Sequence, residues 1–294
     1  MSEIASFMIM FRESLEAALV VGIILAYLRK TGGTRYTNLV YVGIAAGVVA
    51  SIIAAVLFNA LAGGFTGAAE QLFEGVSMIA GAGLITFMII WLMQQKHMAS
   101  ELEGKVRREL RESHKFGIFF LTFVSVLREG VETVIFLGAA SFLGGGYSLV
   151  GSIGGIIAAI ALGYLIFAEM MRIDLKKVFL ATGIILLLFA AGLASRGAHE
   201  LQEAGIVPGI VEHIWDINPP LNADGSFPLL HEEGAIGTVA VSLFGYSGSP
   251  SLTDVIAYLA YMALMALLLL VIRRRADEPR PWGRPTSSAQ GKRE

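Results

Sequence analysis

The sequence predicts an all-α polytopic membrane protein of seven transmembrane helices, built as an inverted 3+3 repeat plus one, with its N-terminus outside and its C-terminus inside. Three observations predict it. The 294 residues are 55% hydrophobic and only 16% charged, with a mean hydropathy of +0.68, whereas soluble domains carry about 25% charged residues. Several apolar runs exceed the roughly 18 residues that mark a helix able to cross about 30 Å of hydrocarbon. Lysine and arginine gather in alternate links between those runs, as they do on the cytoplasmic side of membrane proteins.

Seven apolar segments follow in order, about 4–28, 38–62, 71–95, 116–143, 147–171, 178–201 and 251–272. Lipid offers no partner to backbone N–H and C=O groups, so each must be helical. They form one transmembrane domain over residues 1–272, and too little polar sequence remains for a second. The first segment reads as a span and not as a cleavable leader, because it lacks a basic start and contains Arg12, Glu13 and Glu16.

The links set the orientation. Residues 29–37 carry Arg29, Lys30 and Arg35; residues 96–115 carry Lys96, Lys105, Arg107, Arg108, Arg111 and Lys115; the fifth link carries Arg172, Lys176 and Lys177. The links at 63–70 and 144–146 and the long outer loop 202–250 contain no lysine or arginine. Of the 22 Lys and Arg residues, all but Arg12, Arg128 and Arg196 lie in the basic links or in the tail 273–294. That tail is expected to be cytoplasmic and, being rich in Pro, Ser and charge, disordered. Residues 101–112 mix charges at helical spacing and are expected to form a short solvated helix.

Arg12 and Arg128 belong to a repeated motif. Phe11-Arg12-Glu13-Ser14-Leu15-Glu16 and Leu127-Arg128-Glu129-Gly130-Val131-Glu132 lie inside the first and fourth apolar segments. Those segments run in opposite senses across the membrane, so spans 1–3 and 4–6 read as inverted repeats, an arrangement that places transporter sites at the midplane between halves. Gly43/Gly47 and Gly151/Gly155 are small-xxx-small pairs, which permit close helix packing.

At about 1.5 Å rise per residue both motifs fall near mid-membrane. The two glutamates of each motif are three apart and share a helix face, and each arginine precedes the second glutamate by four, within ion-pairing reach. A charge at mid-helix costs about 2.5–3.5 kcal/mol on insertion scales. A salt-bridge lattice clamping two helices would use two glutamates with the two arginines. Two further glutamates leave the cluster formally at −2, and buried unpaired charge persists only if it protonates or binds a cation. Carboxylates are hard ligands that suit Mg²⁺, Ca²⁺, Mn²⁺ and iron. The chain has no cysteine, which excludes thiolate metal sites, disulfides and iron–sulfur ligation.

With these residues in place the sequence resembles the high-affinity iron permease family, which includes fungal oxidase-coupled permeases and bacterial iron-uptake permeases. Paired Arg-Glu-x-Leu-Glu motifs in spans 1 and 4 define that family. The first copy fits, and the second has Val131 where the family has leucine. Phe73-Glu74-Gly75 at the start of the third segment and His199-Glu200-Leu201-Gln202-Glu203-Ala204-Gly205 also resemble the bacterial branch. The resemblance covers the chain to about residue 272. It implies a permease, not an enzyme, that imports iron across the cytoplasmic (inner) membrane, with Glu13, Glu16, Glu129 and Glu132 as ligands. It implies no permanently bound cofactor, iron being the substrate. It also implies a separate extracytoplasmic iron-oxidising or iron-delivering protein, since no such domain is fused here. No nucleic-acid partner is expected, membrane lipid is, and the oligomeric state is left open.

Arg12 and Arg128 are expected to orient the carboxylates. Glu74, on an apolar helix at its outer end, is expected to be a further metal ligand on the entry path. Glu70, His199, Glu200 and Glu203 are placed at the outer mouth, where Arg196 could pair with one of the acids. The loop acids beyond, with Asp216 and Asp224 among them, read mainly as a solvated acidic surface. Met78 and Met88 read as packing. Carboxylate chemistry leaves open a permease for another hard divalent cation such as manganese. A membrane diiron enzyme is the less favoured reading, because such bundles use Glu-x-x-His pairs and no histidine falls in the bilayer core. A proton-relay subunit is a third reading.

Overall fold

The computed structural model describes residues 3–94, 102, 104–108, 115–143, 146–167, 175–209, 211, 213–222 and 224–277. The described residues form helices and connecting turns, without strands. We label the helices α1 (Glu3–Lys30), α2 (Thr37–Ala62), α3 (Ala68–Gln94), α4 (Lys115–Phe142), α5 (Leu149–Phe167), α6 (Leu175–Glu203), α7 (Ala235–Phe244) and α8 (Leu252–Asp277). Residues 102 and 104–108 are helical; the rest of the charged helix expected over 101–112 lies outside the described residues. Residues 273–277 extend α8, since an arginine run propagates a helix well. The remainder of the tail expected to be disordered, 278–294, lies outside the described residues. The ten-residue α7 was not anticipated within the 202–250 loop. Its apolar run stops at Gly245, which adopts φ 66° as the cap.

Among the described residues, five stretches are long and apolar enough to cross a membrane: Thr34–Ala62, Ala68–Trp91, Leu149–Phe167, Lys177–Glu203 and Leu252–Ile272. The two long helices outside that set, α1 and α4, carry the charged motifs. Each has 28 residues, about 42 Å of helix at 1.5 Å per residue. Large aliphatic side chains stand exposed along the others, such as Val49, Ile53, Val56 and Leu57 on α2 and Ile153, Ile157 and Ile160 on α5. Exposed apolar surface on this scale belongs in lipid, and the chain is a multi-pass membrane protein.

The main packing is between helices distant in sequence: α1 lies along α5, α2 along α4, and α3 along α6. Glycines let two of these pairs close. A Cβ on Gly47 of α2 would stand 2.9 Å from Val126 Cβ of α4, and one on Gly43 would stand 2.9 Å from the Phe119 carbonyl oxygen. On α5, a Cβ on Gly155 would stand 2.6 Å from the Phe7 carbonyl oxygen of α1, and one on Gly151 would meet the Glu3 carbonyl oxygen. Both small-residue pairs therefore serve packing. α1 also meets α4 directly, which brings the two motifs together. The largest buried cluster joins α3, α4, α6 and α8 through Met78, Ile85, Met88, Phe136, Leu186, Phe189 and Met265, so Met78 and Met88 are core residues as expected.

Candidate metal centre

The first motif folds into a closed ion-pair unit. Helical spacing places Arg12 one turn before Glu16 and beside Glu13. Arg12 Nη1 donates to Glu13 Oε1 at 2.6 Å, and Nη2 stands 2.5 Å from Glu16 Oε1. The arginine is only 1% exposed. Beside it on α1, Leu15 and Leu19 are buried with Ala159 and Phe179, while the motif carboxylates themselves meet Glu129 of α4.

The second motif is looser. Arg128 Nε donates to Glu132 Oε1 at 2.8 Å and stands 3.9 Å from Glu129 Oε1. Its side chain is 41% exposed, and its guanidinium carbon lies 5.1 Å from the centroid of the Trp91 ring on α3. Glu129 itself is buried.

Contact between α1 and α4 turns the motifs into one site. Carboxylate oxygens of Glu13, Glu16 and Glu129 all lie within 4.8 Å of one another. Three like charges so close in a buried place repel strongly unless a cation or protons intervene. One oxygen of Glu13 and one of Glu129, Oε2 in each, is buried and accepts no hydrogen bond among the described residues. These are acceptor lone pairs left open within a group of buried carboxylates, the kind of donor a hard cation takes. Glu132, the fourth motif glutamate, is held by Arg128 at the edge of this group.

A cavity of about 600 Å³ leads to it between α1, α2, α4 and α5. Glu13 and Glu129 line it, together with Ser14, Ser51, Asn59, Thr133, Ser141, Tyr147 and Ser152. The remaining wall is largely apolar, so the hydroxyl and amide groups are the places where a partly hydrated ion could rest.

The residues expected at the outer mouth form a separate cluster. Glu74 is half-buried near the start of α3, and its charged neighbours are Glu200, Glu70 and Arg196. It is not among the carboxylates grouped with the motif. Glu70 is exposed. At the end of α6, Arg196 Nε stands 3.3 Å from Glu200 Oε1, which gives that arginine its partner. His199 Nε2 stands 3.0 Å from Glu203 Oε1, and Gln71 Nε2 donates to Glu203 Oε2 at 2.9 Å. His199 Nδ1 lies 3.3 Å from Asp254 Oδ1 at the start of α8.

Asp254 and Gln71 went unnoticed in the sequence. Asp254 had a readable signal, since Ser251-Leu252-Thr253-Asp254 has the spacing of a capping box. The Ser251 N–H donates to Asp254 Oδ2 at 2.9 Å, and the Asp254 N–H to Ser251 Oγ at 3.1 Å. A second cavity, of about 460 Å³, lies beside this cluster and is lined by Arg196, Glu232, Glu233, Tyr246 and Asp254.

The loop acids mostly build the loop. Asp216 Oδ1 accepts the Asn218 N–H at 3.0 Å. Glu232 Oε1 accepts from Ser247 Oγ and from the Gly248 and Ser249 N–H groups. Asp224 accepts from Ser226 Oγ at 2.6 Å and the Ser226 N–H at 3.0 Å, and these bonds hold its pKa below the ordinary aspartate value.

Comparison with known proteins adds an independent finding. Residues 3–276 match the iron permease FTR1 family. The chain is 31% identical over 261 residues to the ferrous iron permease EfeU of Yersinia pseudotuberculosis, covering 87% of this chain and 88% of that one. It is 30% identical over 256 residues to the ferrous iron permease EfeU of Escherichia coli, covering 86% and 90%. An uncharacterized protein of Archaeoglobus fulgidus is 34% identical over 251 residues, covering 85% of this chain and 88% of its own. No solved structure matches the chain.

Proposed function

Because this chain belongs to the iron permease FTR1 family, and so to transporters rather than enzymes, we propose that it imports iron across the cytoplasmic membrane through the site formed by Glu13, Glu16, Glu129 and Glu132. One observation carries the assignment of the site. Three buried carboxylates from two helices bring their oxygens within 4.8 Å, and two of those carboxylates line a cavity. Arg12 neutralises one negative charge of this group and fixes Glu13 and Glu16, leaving the remainder for a cation. The names of the relatives favour Fe²⁺ as the ion carried. A manganese permease would use the same donors, and family membership favours iron.

The proposed architecture is seven spans in two inverted halves plus α8, with the N-terminus outside. The helix pairing supports it. A two-fold exchange of spans 1–3 with 4–6 turns the α1–α5 pair into the α4–α2 pair, and both pairs close through glycines four apart. In this orientation the cavity opens from the outer half toward Glu13 and Glu129. The cluster of Glu70, Glu74, His199, Glu200 and Glu203 stands at the outer surface, where its field concentrates cations. A separate extracytoplasmic protein that oxidises or delivers iron completes this proposal.

Uptake of radioactive iron into vesicles containing only this protein tests the function. Saturable uptake above protein-free vesicles is expected, and its absence would refute an iron permease that acts alone. The same vesicles test Glu74 as an entry ligand. Glu74→Gln should reduce uptake at every salt concentration, because a helix-borne carboxylate at the membrane can bind the ion directly. Asp224→Asn should matter little, and mostly at low salt, because its exposed charge acts through a field screened over about 8–10 Å. Equal, small, salt-sensitive losses would make Glu74 a part of the acidic surface only.

A further inference from the structure

The two copies of the motif are nearly the same in sequence and differ in state. Arg12 is sealed between Glu13 and Glu16, at 2.6 and 2.5 Å. Arg128 binds Glu132 at 2.8 Å, stays 3.9 Å from Glu129, and lies over the Trp91 ring with much of its side chain exposed. The motif itself gives no reason for the difference, since both arginines have glutamates at the same spacings. The second arginine has an aromatic face from α3 beneath it.

We infer that Trp91 is a positioning residue that draws the Arg128 guanidinium off Glu129, so that Glu129 stays free to take the cation. The inference rests on the reading of the motif carboxylates as the iron site.

The physical basis is competition for one planar cation. A guanidinium between two carboxylates bridges both when nothing else attracts it, as Arg12 does. A tryptophan face is the strongest aromatic partner for a guanidinium. Arg128 on that face keeps its one short bond to Glu132, while Glu129 Oε2 remains without a hydrogen bond. Glu129 is buried and lines the cavity that leads to the site. An arginine paired to it would have to be displaced by each arriving ion. The first motif therefore supplies a fixed pair of carboxylates, and the second supplies one held open.

The test measures Fe²⁺ binding by the purified full chain under anaerobic conditions, together with uptake in vesicles. Trp91→Met keeps bulk and removes the ring; Trp91→Phe keeps a ring. Trp91→Met should weaken Fe²⁺ binding and raise the KM of uptake roughly fivefold, with the maximal rate little changed, equivalent to about 1 kcal/mol of cation–π attraction. Trp91→Phe should recover most of the loss. In an Arg128→Gln background, Trp91→Met should have no further effect, because the competing cation is gone.

Incorporation of 5-fluorotryptophan with Trp215 and Trp282 changed to phenylalanine weakens the ring's attraction at constant shape. It should give a smaller rise in KM, and it keeps the test decisive if Trp91→Met does not fold. Unchanged KM in both the Met and the fluorinated proteins would overturn the inference. So would an equal effect of Trp91→Met with and without Arg128. Failure of the unaltered protein to bind or carry Fe²⁺ would instead overturn the reading of the site itself.

Discussion

Replacing Glu129 by glutamine is expected to leave a folded protein whose iron uptake has largely gone. Glutamine keeps the shape and hydrogen-bonding length of glutamate and removes its charge. Glu129 makes no close ion pair, its nearest arginine nitrogen being 3.9 Å away, so the change breaks little that holds the helices together. The cation loses one of three converging carboxylates. Truncating one partner of a buried charge interaction costs about 2–5 kcal/mol of binding, roughly thirtyfold or more in affinity. Glu13→Gln and Glu16→Gln should be comparably damaging to transport. Glu132→Gln should act partly through the release of Arg128. The measurement is radioactive iron uptake into vesicles at matched protein content. Normal uptake by Glu129→Gln would remove the carboxylate site from the mechanism.

The second large effect concerns Arg12, and here the expected loss is of the fold. Arg12 is 1% exposed and touches two buried glutamates. Arg12→Ala leaves both without a counter-charge and opens a space the size of an arginine in a packed helix pair. Breaking a buried ion pair from one side costs about 3–5 kcal/mol, a large share of a typical stability of about 5–15 kcal/mol. Arg12→Ala should express poorly and melt early in detergent. Arg12→Lys keeps the charge but loses the planar fork that reaches both acids at once, so it should fold and carry iron weakly. Arg128→Ala, at a half-exposed arginine, should destabilise far less. Thermal unfolding of the purified proteins ranks them, and an Arg12→Ala protein as stable as its parent would refute the clamp.

The site was legible in the sequence where its geometry is local. Arg12 with Glu16 and Arg128 with Glu132 follow from the four-residue spacing alone, and both pairs are present. That Glu13, Glu16 and Glu129 converge required the two motif helices to touch, which the inverted repeat anticipated in outline. What the sequence could not show lies in contacts between distant segments. Trp91 is far from Arg128 in the chain, and Asp254 is far from His199; neither meeting leaves a trace in periodicity. Glu74 was expected among the metal ligands because it is an acid on an apolar helix. The packing of α3 along α6 gives it Glu200, Glu70 and Arg196 as charged neighbours, apart from the motif carboxylates. The bounds of α2 were read well. The extension of α8 and the presence of α7 were missed, because arginine-rich and short apolar stretches look like loop when only span-length runs are counted.

The pairing of α1 with α5 bears on how the protein is made. Synthesis delivers α1 long before α5: the chain from Lys30 to Leu149 must be completed in between, which at about 5–20 residues per second takes on the order of ten seconds. For that interval the nascent first helix lacks the helix it packs against along most of its length. Arg12, Glu13 and Glu16 lie within one turn of the same helix, so their mutual bonds form as soon as that turn does and need no other part of the chain. The clamp within the proposed metal site therefore first acts as a self-contained escort, sparing the ribosome-bound helix two naked carboxylates while it waits for its partner.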